Sequence, residues 1–285
     1  MQKIFVGDVQ GCADELDALL ARIEGRFGDE FELWVVGDVI NRGPGSLRAL
    51  ARVRELVDAG RARLVLGNHE IVLLMIWLGL RALRDVDTYG EVLADRDADD
   101  WMEWLRRRSI VESASLGTRR FAMVHAAAHP DWSFDELVRR GRAIESVLSA
   151  GDTADVTAFL SLAPEQDGRR DDLGLLTRCR SIVQDGSWSS DEPVVDTDAW
   201  HHRWLSRGHD YALVYGHWSR QGLRVAPGLR GLDTGCVHHG RGRDGYLTAW
   251  LPGDRCEADG DDANEFSLPD DRFWQVAARR QYYGL

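Results

Sequence analysis

The sequence predicts an α/β fold built on parallel β-α-β units. Over the first 70 residues, a short apolar run, a polar loop and an amphipathic helix follow one another repeatedly. Each apolar run also ends in glycine plus an acid or amide: Gly7-Asp8, Gly37-Asp38 and Gly67-Asn68. In a parallel sheet these clusters fall together at the carboxyl edge, where ligands bind.

The elements read as follows. Ile4-Phe5-Val6 is the first strand. Leu16, Leu19, Leu20 and Ile23 share one helical face. Leu33 to Val36 is the second strand, and Leu47, Leu50, Val53 and Leu56-Val57 mark the second helix. Arg63 to Leu66 is the third strand. Ile71 to Leu83 and Trp101 to Arg108 read as helices. Phe121 to Val124 is a buried strand ending in His125, and Phe134 to Leu162 reads as helical. Residues 164–172 and 184–198 read as polar loops. Tyr211 to Tyr215 is a strand ending in Gly216-His217. Leu223 to Val225, Leu229 to Leu232 and Tyr246 to Leu251 are closing strands. A mobile acidic loop over 253–265 and a last helix from Asp270 to Tyr283 complete the chain. No repeat or linker divides it, so residues 1–285 are expected to form a single domain.

Composition narrows the function. The chain has 44% hydrophobic and 29% charged residues, which excludes disorder. Its net charge of -12 argues against gripping DNA by charge alone. Bound phosphate would need local neutralisation by metal ions or placed arginines. Cys12, Cys179, Cys236 and Cys256 show no CxxC spacing, so neither a disulfide scaffold nor a structural zinc site is expected. No apolar run reaches the roughly 18 residues of a membrane span. With no leader segment read at the N-terminus, the expected location is cytoplasmic. Runs such as Arg106-Arg107-Arg108 and Arg169-Arg170 read as solvated faces, and Trp218 or Trp132 as packing residues with base stacking as the alternative.

Five strands end in a side chain able to ligate a metal: Asp8, Asp38, Asn68, His125 and His217. A lone Gly-Asp after a strand is commonly a turn or cap. Five such ends at one edge form a mixed oxygen and nitrogen donor set that suits Mn, Fe, Co or Zn.

The flanks are more specific. Gly7-Asp8-Val9-Gln10-Gly11, Gly37-Asp38-Val39-Ile40-Asn41-Arg42-Gly43 and Gly67-Asn68-His69-Glu70 resemble the GDxHG, GDxxxRG and GNHE blocks of phosphoprotein-phosphatase-type metallophosphoesterases. Val124-His125-Ala126 and Gly216-His217-Trp218 resemble the remaining blocks. Arg42 to Leu47, Leu176 to Arg180 and Gly231 to Cys236 look most like the symmetrical bis(5′-nucleosyl)-tetraphosphatases. The resemblance implies a calcineurin-like β-sandwich flanked by helices on both faces, a four-layer α-β-β-α arrangement. It also implies two divalent metal ions, with Asp38 bridging, Asp8 and Gln10 completing one, and Asn68, His125 and His217 the other. Manganese is the expected ion, with Co, Fe or Mg as alternatives.

Arg42, with Arg178 or Arg180, would hold phosphate oxygens, and His69 would protonate the departing oxygen. The implied activity is hydrolysis of diadenosine tetraphosphate and related dinucleoside polyphosphates to two nucleoside diphosphates. Capped RNA 5′ ends are a further substrate. The alternatives are a serine/threonine or tyrosine phosphoprotein phosphatase, and a metal- or nucleotide-sensing protein on a decayed hydrolase frame. Two residues depart from the phosphatase pattern. Gln10 stands where histidine is usual, which favours Mn over Zn and looser binding of the first metal. Asn41 stands where an aspartate usually pairs with the acid histidine, so His69 should be less readily charged, which favours anhydrides over phosphomonoesters.

Overall fold

The computed structural model describes residues 1–253 and 264–282. The chain opens with β1 (Gln2–Val6), α1 (Ala13–Phe27), β2 (Phe31–Val35), α2 (Ser46–Asp58) and β3 (Ala62–Leu64). The three strands are parallel, as the repeat predicts. Helices α3 (Asn68–Trp77), α4 (Gly90–Leu93) and α5 (Ala98–Leu105) precede the hairpin β4 (Glu112–Leu116) and β5 (Arg119–Met123). Three helices follow: α6 (Phe134–Leu148), α7 (Thr153–Ser161) and α8 (Gly168–Arg178). A small pair, β6 (Ser181–Ile182) and β7 (Trp188–Ser189), leads to α9 (Trp200–Leu205). The last strands are β8 (Ala212–Tyr215), β9 (Arg224–Ala226), β10 (Leu229–Gly231), β11 (Tyr246–Trp250) and β12 (Phe273–Ala277).

Two five-stranded sheets result, in the orders β12-β11-β1-β2-β3 and β4-β5-β8-β10-β9. Alternation along each strand gives each sheet two apolar faces. Phe5, Trp34, Phe121, Met123, Val214 and Trp250 fill the space between the sheets. Phe5 lies 5.5 Å from Trp34, 5.3 Å from Phe121 and 5.2 Å from Trp250, ring centre to centre. Ile4, Val6, Leu33 and Val35 face the other way, into the cluster that contains Leu16, Leu20, Leu50 and Val53 of α1 and α2. The four-layer sandwich is the architecture that the resemblance implies.

One end of the inter-sheet core is closed by an ion pair. Arg230 and Asp270 have fully buried side chains, 2.8 Å apart. The guanidinium also donates to the carbonyls of Ala226 and Leu229 at 2.8 Å and lies over Trp250. Asp270 accepts from Arg272 Nε at 2.8 Å and Trp250 Nε1 at 2.9 Å.

Several expected elements differ. The C-terminal helix expected over 270–283 is instead β12, which pairs antiparallel with β11. Its alternation explains this: Phe273 joins the inter-sheet core, while Trp274 and Val276 pack with the cluster beneath α1, and Trp274 stacks on Phe27. The expected loop at 253–265 lies largely outside the described residues. The helix expected over 134–162 breaks into α6 and α7, with the Asp152 side chain capping α7 through Ala154 N at 2.8 Å. The loop expected over 164–172 ends early, because Asp167 caps α8. Arg106 is not on a solvated face: it is 1% exposed and donates to Leu148 O and Ala150 O beyond the end of α6.

Burial alone would raise the Asp270 carboxyl, but its bonds to Arg272 and Arg230 outweigh that and hold it below its ordinary 3.8. The pair therefore contributes its full stability above that ordinary value and loses it as pH falls through the lower, folded-state pKa. Asp270→Asn should cost about 3–5 kcal/mol, by stranding a buried guanidinium. Urea titrations of both proteins at pH 7 and at progressively lower pH check this. The gap between the two should shrink as Asp270 protonates.

Candidate functional site

The carboxyl ends of β1, β2, β3, β5, β8 and β10 meet along one edge of the two sheets. Two hydrogen bonds join the sheets there. His125 Nδ1 donates to Val36 O at 2.8 Å, and His217 N donates to the Asp8 carboxylate at 3.1 Å. The first bond fixes the imidazole so that Nε2 points inward.

Asp38, His125 and His217 are buried, with ligand atoms all within 4.8 Å of one another. Asp38 Oδ2 is 3.4 Å from His125 Nε2, and Oδ1 accepts from His69 N at 2.9 Å. The Asn68 amide lies 3.1 Å from His125 Nε2 and 2.8 Å from His217 Nδ1. Burial works against the Asp38 charge, but His125 and His69 outweigh it and keep the carboxyl well below its ordinary value. Burial pushes His217 well down, assisted by His125 and Arg180.

Gln10 lies beside this group by its backbone: its N–H donates to Asp38 O at 2.7 Å. Asp8 is buried, and its carboxyl is pushed well above the ordinary value by burial and by the charges of Asp233 and Asp38.

Two further acids belong to the site and had no role in the sequence reading. Glu70, fully buried, accepts from the backbone N–H groups of Asp38, Val39 and Gly67, each at 2.9 Å. It thereby staples the loop after β2 to the start of α3. Burial and the neighbouring Asp38 raise its carboxyl to about 7. Asp233, just beyond β10, accepts from Gly235 N at 3.0 Å through Oδ1, while its buried Oδ2 has no partner. Burial raises this carboxyl to about 6. The sequence signal for Glu70 was its place in the third block, and for Asp233 another Asp after an apolar strand.

The backbone is strained here. Among the described residues, the non-glycine positions with positive φ are Gln10, Asp38, Asn41, Arg42 and His217, with φ from 47° to 76°. Such conformations cost on the order of 1–3 kcal/mol each and persist only where the surroundings over-determine them. Gly67 and Gly216 let the backbone press against the carboxylates, since a Cβ at either would collide with Asp38 Oδ1 or Asp8 Oδ1.

His69 is oriented by Asn41. The Asn41 oxygen accepts from Arg42 N and Thr88 N, both at 2.8 Å, which leaves its NH2 to donate to His69 Nδ1 at 2.7 Å. The ring proton is then on Nε2, toward Asp38 Oδ2 at 3.6 Å. Burial lowers the His69 pKa, assisted by the charges of Arg42 and His125 and opposed by that of Asp38.

Arg42 and Arg178 line a cavity of about 280 Å3 that opens beside Asn68 and His69. Arg180 does not line it and donates to Ser190 O at 2.6 Å. Trp218 is buried with its Nε1 on Glu192, and Trp132 packs beneath Arg140, so both are packing residues. Cys12 and Cys236, far apart in sequence, meet beside Glu15, whose carboxylate accepts from Tyr282 OH and Arg279 N.

The donor set fits a divalent metal. It combines imidazoles, an amide and buried carboxylates whose mutual repulsion a cation would relieve, and beside it the buried Asp233 Oδ2 lacks any hydrogen bond.

The family model for calcineurin-like phosphoesterases matches residues 1–221, a stretch that spans Asp8 to His217. A protein of Janthinobacterium sp. (strain Marseille) named symmetrical bis(5′-nucleosyl)-tetraphosphatase is 37% identical, over 85% of this chain and 91% of its own length. A protein of Ralstonia nicotianae with the same name is 34% identical, over 83% of this chain and 86% of its own. Among solved structures, a protein serine/threonine phosphatase from Saccharomyces cerevisiae shares the fold, with a TM-score of 0.54 and 13% identity over 98% of this chain and 80% of that one. Metal-type side chains at six strand ends, the sandwich that gathers them and the match over residues 1–221 give one assignment: the chain belongs to the calcineurin-like phosphoesterase family.

Proposed function

We propose that the chain is a divalent-metal-dependent hydrolase that cleaves diadenosine tetraphosphate and related dinucleoside polyphosphates symmetrically, giving two nucleoside diphosphates. The observation that carries this reading is the 37% identity to a relative of that name over 85% of the chain. Tetraphosphate-capped RNA 5′ ends carry the same bridge and are a second proposed substrate. The yeast phosphatase shares only the fold, at 13% identity, and therefore does not favour the phosphoprotein reading.

Asp38 would serve two metals, with Asp8 and Gln10 on one and Asn68, His125 and His217 on the other. Manganese is the proposed ion, because an amide oxygen in place of imidazole makes the donor set harder. Such ions, when bound, acidify water and withdraw charge from the attacked phosphorus. The chain's own groups do the rest. Arg42 and Arg178 hold non-bridging oxygens through their planar forks, and Arg180 acts beside them through its charge. His69 offers its Nε2–H to the departing oxygen. Glu70 fixes the loop that carries Asp38, so it positions the site without touching substrate.

Incubation with diadenosine tetraphosphate and Mn, followed by nucleotide separation, should yield ADP alone. ATP plus AMP would show asymmetric cleavage. Inertness together with phosphate release from a phosphopeptide would favour the phosphoprotein alternative. Glu70→Gln should lower turnover roughly 10–100-fold, the range that outer supporting groups show. Asp38→Asn should cost more than that, and retained activity would refute its bridging role. Gln10→His should tighten metal binding while activity persists, as read by metal titration of the purified protein.

A further inference from the structure

Arginines gather at the cavity beside the site, and three of them have no carboxylate in reach among the described residues. Many arginines elsewhere are engaged by carboxylates, as Arg63 is by Glu32 and Glu112, and Arg140 by Asp172. Arg84 is held by Asp87 at 3.1 Å. Arg81, Arg170 and Arg178 line the same space, and none has a carboxylate within ion-pair distance among the described residues. The Arg170 Nε is buried without a hydrogen-bond partner. Burial and the like charge of Arg178 both press the Arg170 guanidinium toward its neutral form. A chain with net charge -12 has carboxylates to spare. Three arginines gathered without a carboxylate, one of them with a buried, unpartnered Nε, form a site that favours an anion.

The walls are equally specific. Arg170, Leu173 and Thr177 stand at helical spacing on one face of α8, and Asn68, Val72 and Met75 on one face of α3. Seven residues of helix from Arg170 to Thr177 rise about 10 Å. Thr177 and Arg178 end that run at the site, where the Arg178 carbonyl accepts from His217 Nε2 at 3.1 Å. The cavity thus leads away from the clustered acids and histidines along a line of cations, with apolar side chains on both walls.

We infer that Arg81 and Arg170, with Arg178, form a second anion subsite that holds the phosphates of the substrate half remote from the attacked phosphorus. Val72, Met75 and Leu173 supply the apolar surface for its base. The inference rests on the proposed function, for it gives the second nucleoside diphosphate unit its place. It also separates substrates: a phosphomonoester has nothing to place there, whereas a dinucleoside polyphosphate does.

The test uses the metal-loaded full chain and the variants Arg170→Met, Arg170→Lys and Arg81→Met. Arg96→Met, which removes the same charge from a side chain 90% exposed, is the control. Arg170→Met and Arg81→Met should each raise KM for diadenosine tetraphosphate roughly tenfold, the scale of one charge-assisted contact. Calorimetric Kd for inorganic tripolyphosphate should weaken in parallel. Arg170→Lys should recover most of the loss, Arg96→Met should match the parent, and Tm should not fall in any variant. Unaltered KM and Kd in Arg170→Met and Arg81→Met would overturn the subsite while leaving the hydrolase reading intact. If the parent does not cleave diadenosine tetraphosphate, that reading fails by itself. The tripolyphosphate Kd then decides the subsite alone, by the same tenfold criterion. Should Arg170→Met not fold, Arg81→Met carries the same test.

Discussion

The Glu70 carboxylate is the junction on which the site depends. It is fully buried, yet among the described residues it has no arginine or lysine partner; its charge is met by the N–H groups of Asp38, Val39 and Gly67. Buried charge is tolerated only when hydrogen bonds replace hydration. Here the replacement links two β-α loops, alongside the bonds from His69 N to Asp38 Oδ1 and from the Asn41 amide to His69 Nδ1. Asp38 adopts φ of 49° within this staple, a conformation an isolated aspartate would avoid. The strain at Asp38 is therefore stabilised by a residue that need never meet substrate.

The same economy of partners extends to the other acids. Asp8, Asp38 and Asp233 stand in one buried cluster, and each raises the cost of charging another. Around Asp38, the imidazoles of His125 and His69 outweigh that repulsion. At Asp233 the charges of His125 and Arg243, and at Asp8 the bond from His217 N, fall short of the cost of burial and like charge, so both carboxyls are displaced upward. A bound cation would offset that excess. Gln10 meets Asp38 through its backbone N–H, and the neutral amide of its side chain can do nothing to relieve the excess.

How much of this was legible in the sequence follows from how local each feature is. The β-α-β repeat and the five metal-type side chains at strand ends could be read because a strand and the residue after it are contiguous, and a parallel sheet aligns such ends without further information. Glu70 was visible as a letter in its block but not as a clamp, since its bonds reach back 30 residues or more to Asp38 and Val39. Arg170 reads as half of a solvated pair because a charge run gives no face by itself, and only the helix that starts at Gly168 assigns one. Strand β12 read as a helix because its identity comes from pairing with β11, a partner that periodicity over a few residues does not reveal. Cys12 and Cys236 meet through the same kind of long-range closure.

The residue at position 41 connects this geometry to the bond that breaks. With its oxygen fixed by Arg42 N and Thr88 N, the Asn41 amide can only donate to His69. That keeps Nδ1 unprotonated and leaves a single proton on Nε2. A neutral imidazole lends a hydrogen bond readily but surrenders its remaining proton with difficulty. An alkoxide leaving from a phosphomonoester needs the proton itself, whereas a departing diphosphate oxygen spreads its charge and is served by the hydrogen bond. Asp87 sits 3.5 Å beyond the amide but is engaged by Arg84, and Asn41 stands between it and the ring. An aspartate at position 41 would reverse the polarity, accepting at Nδ1 and favouring imidazolium. The amide thus tilts the site toward anhydrides, the bond class that the proposed substrate contains.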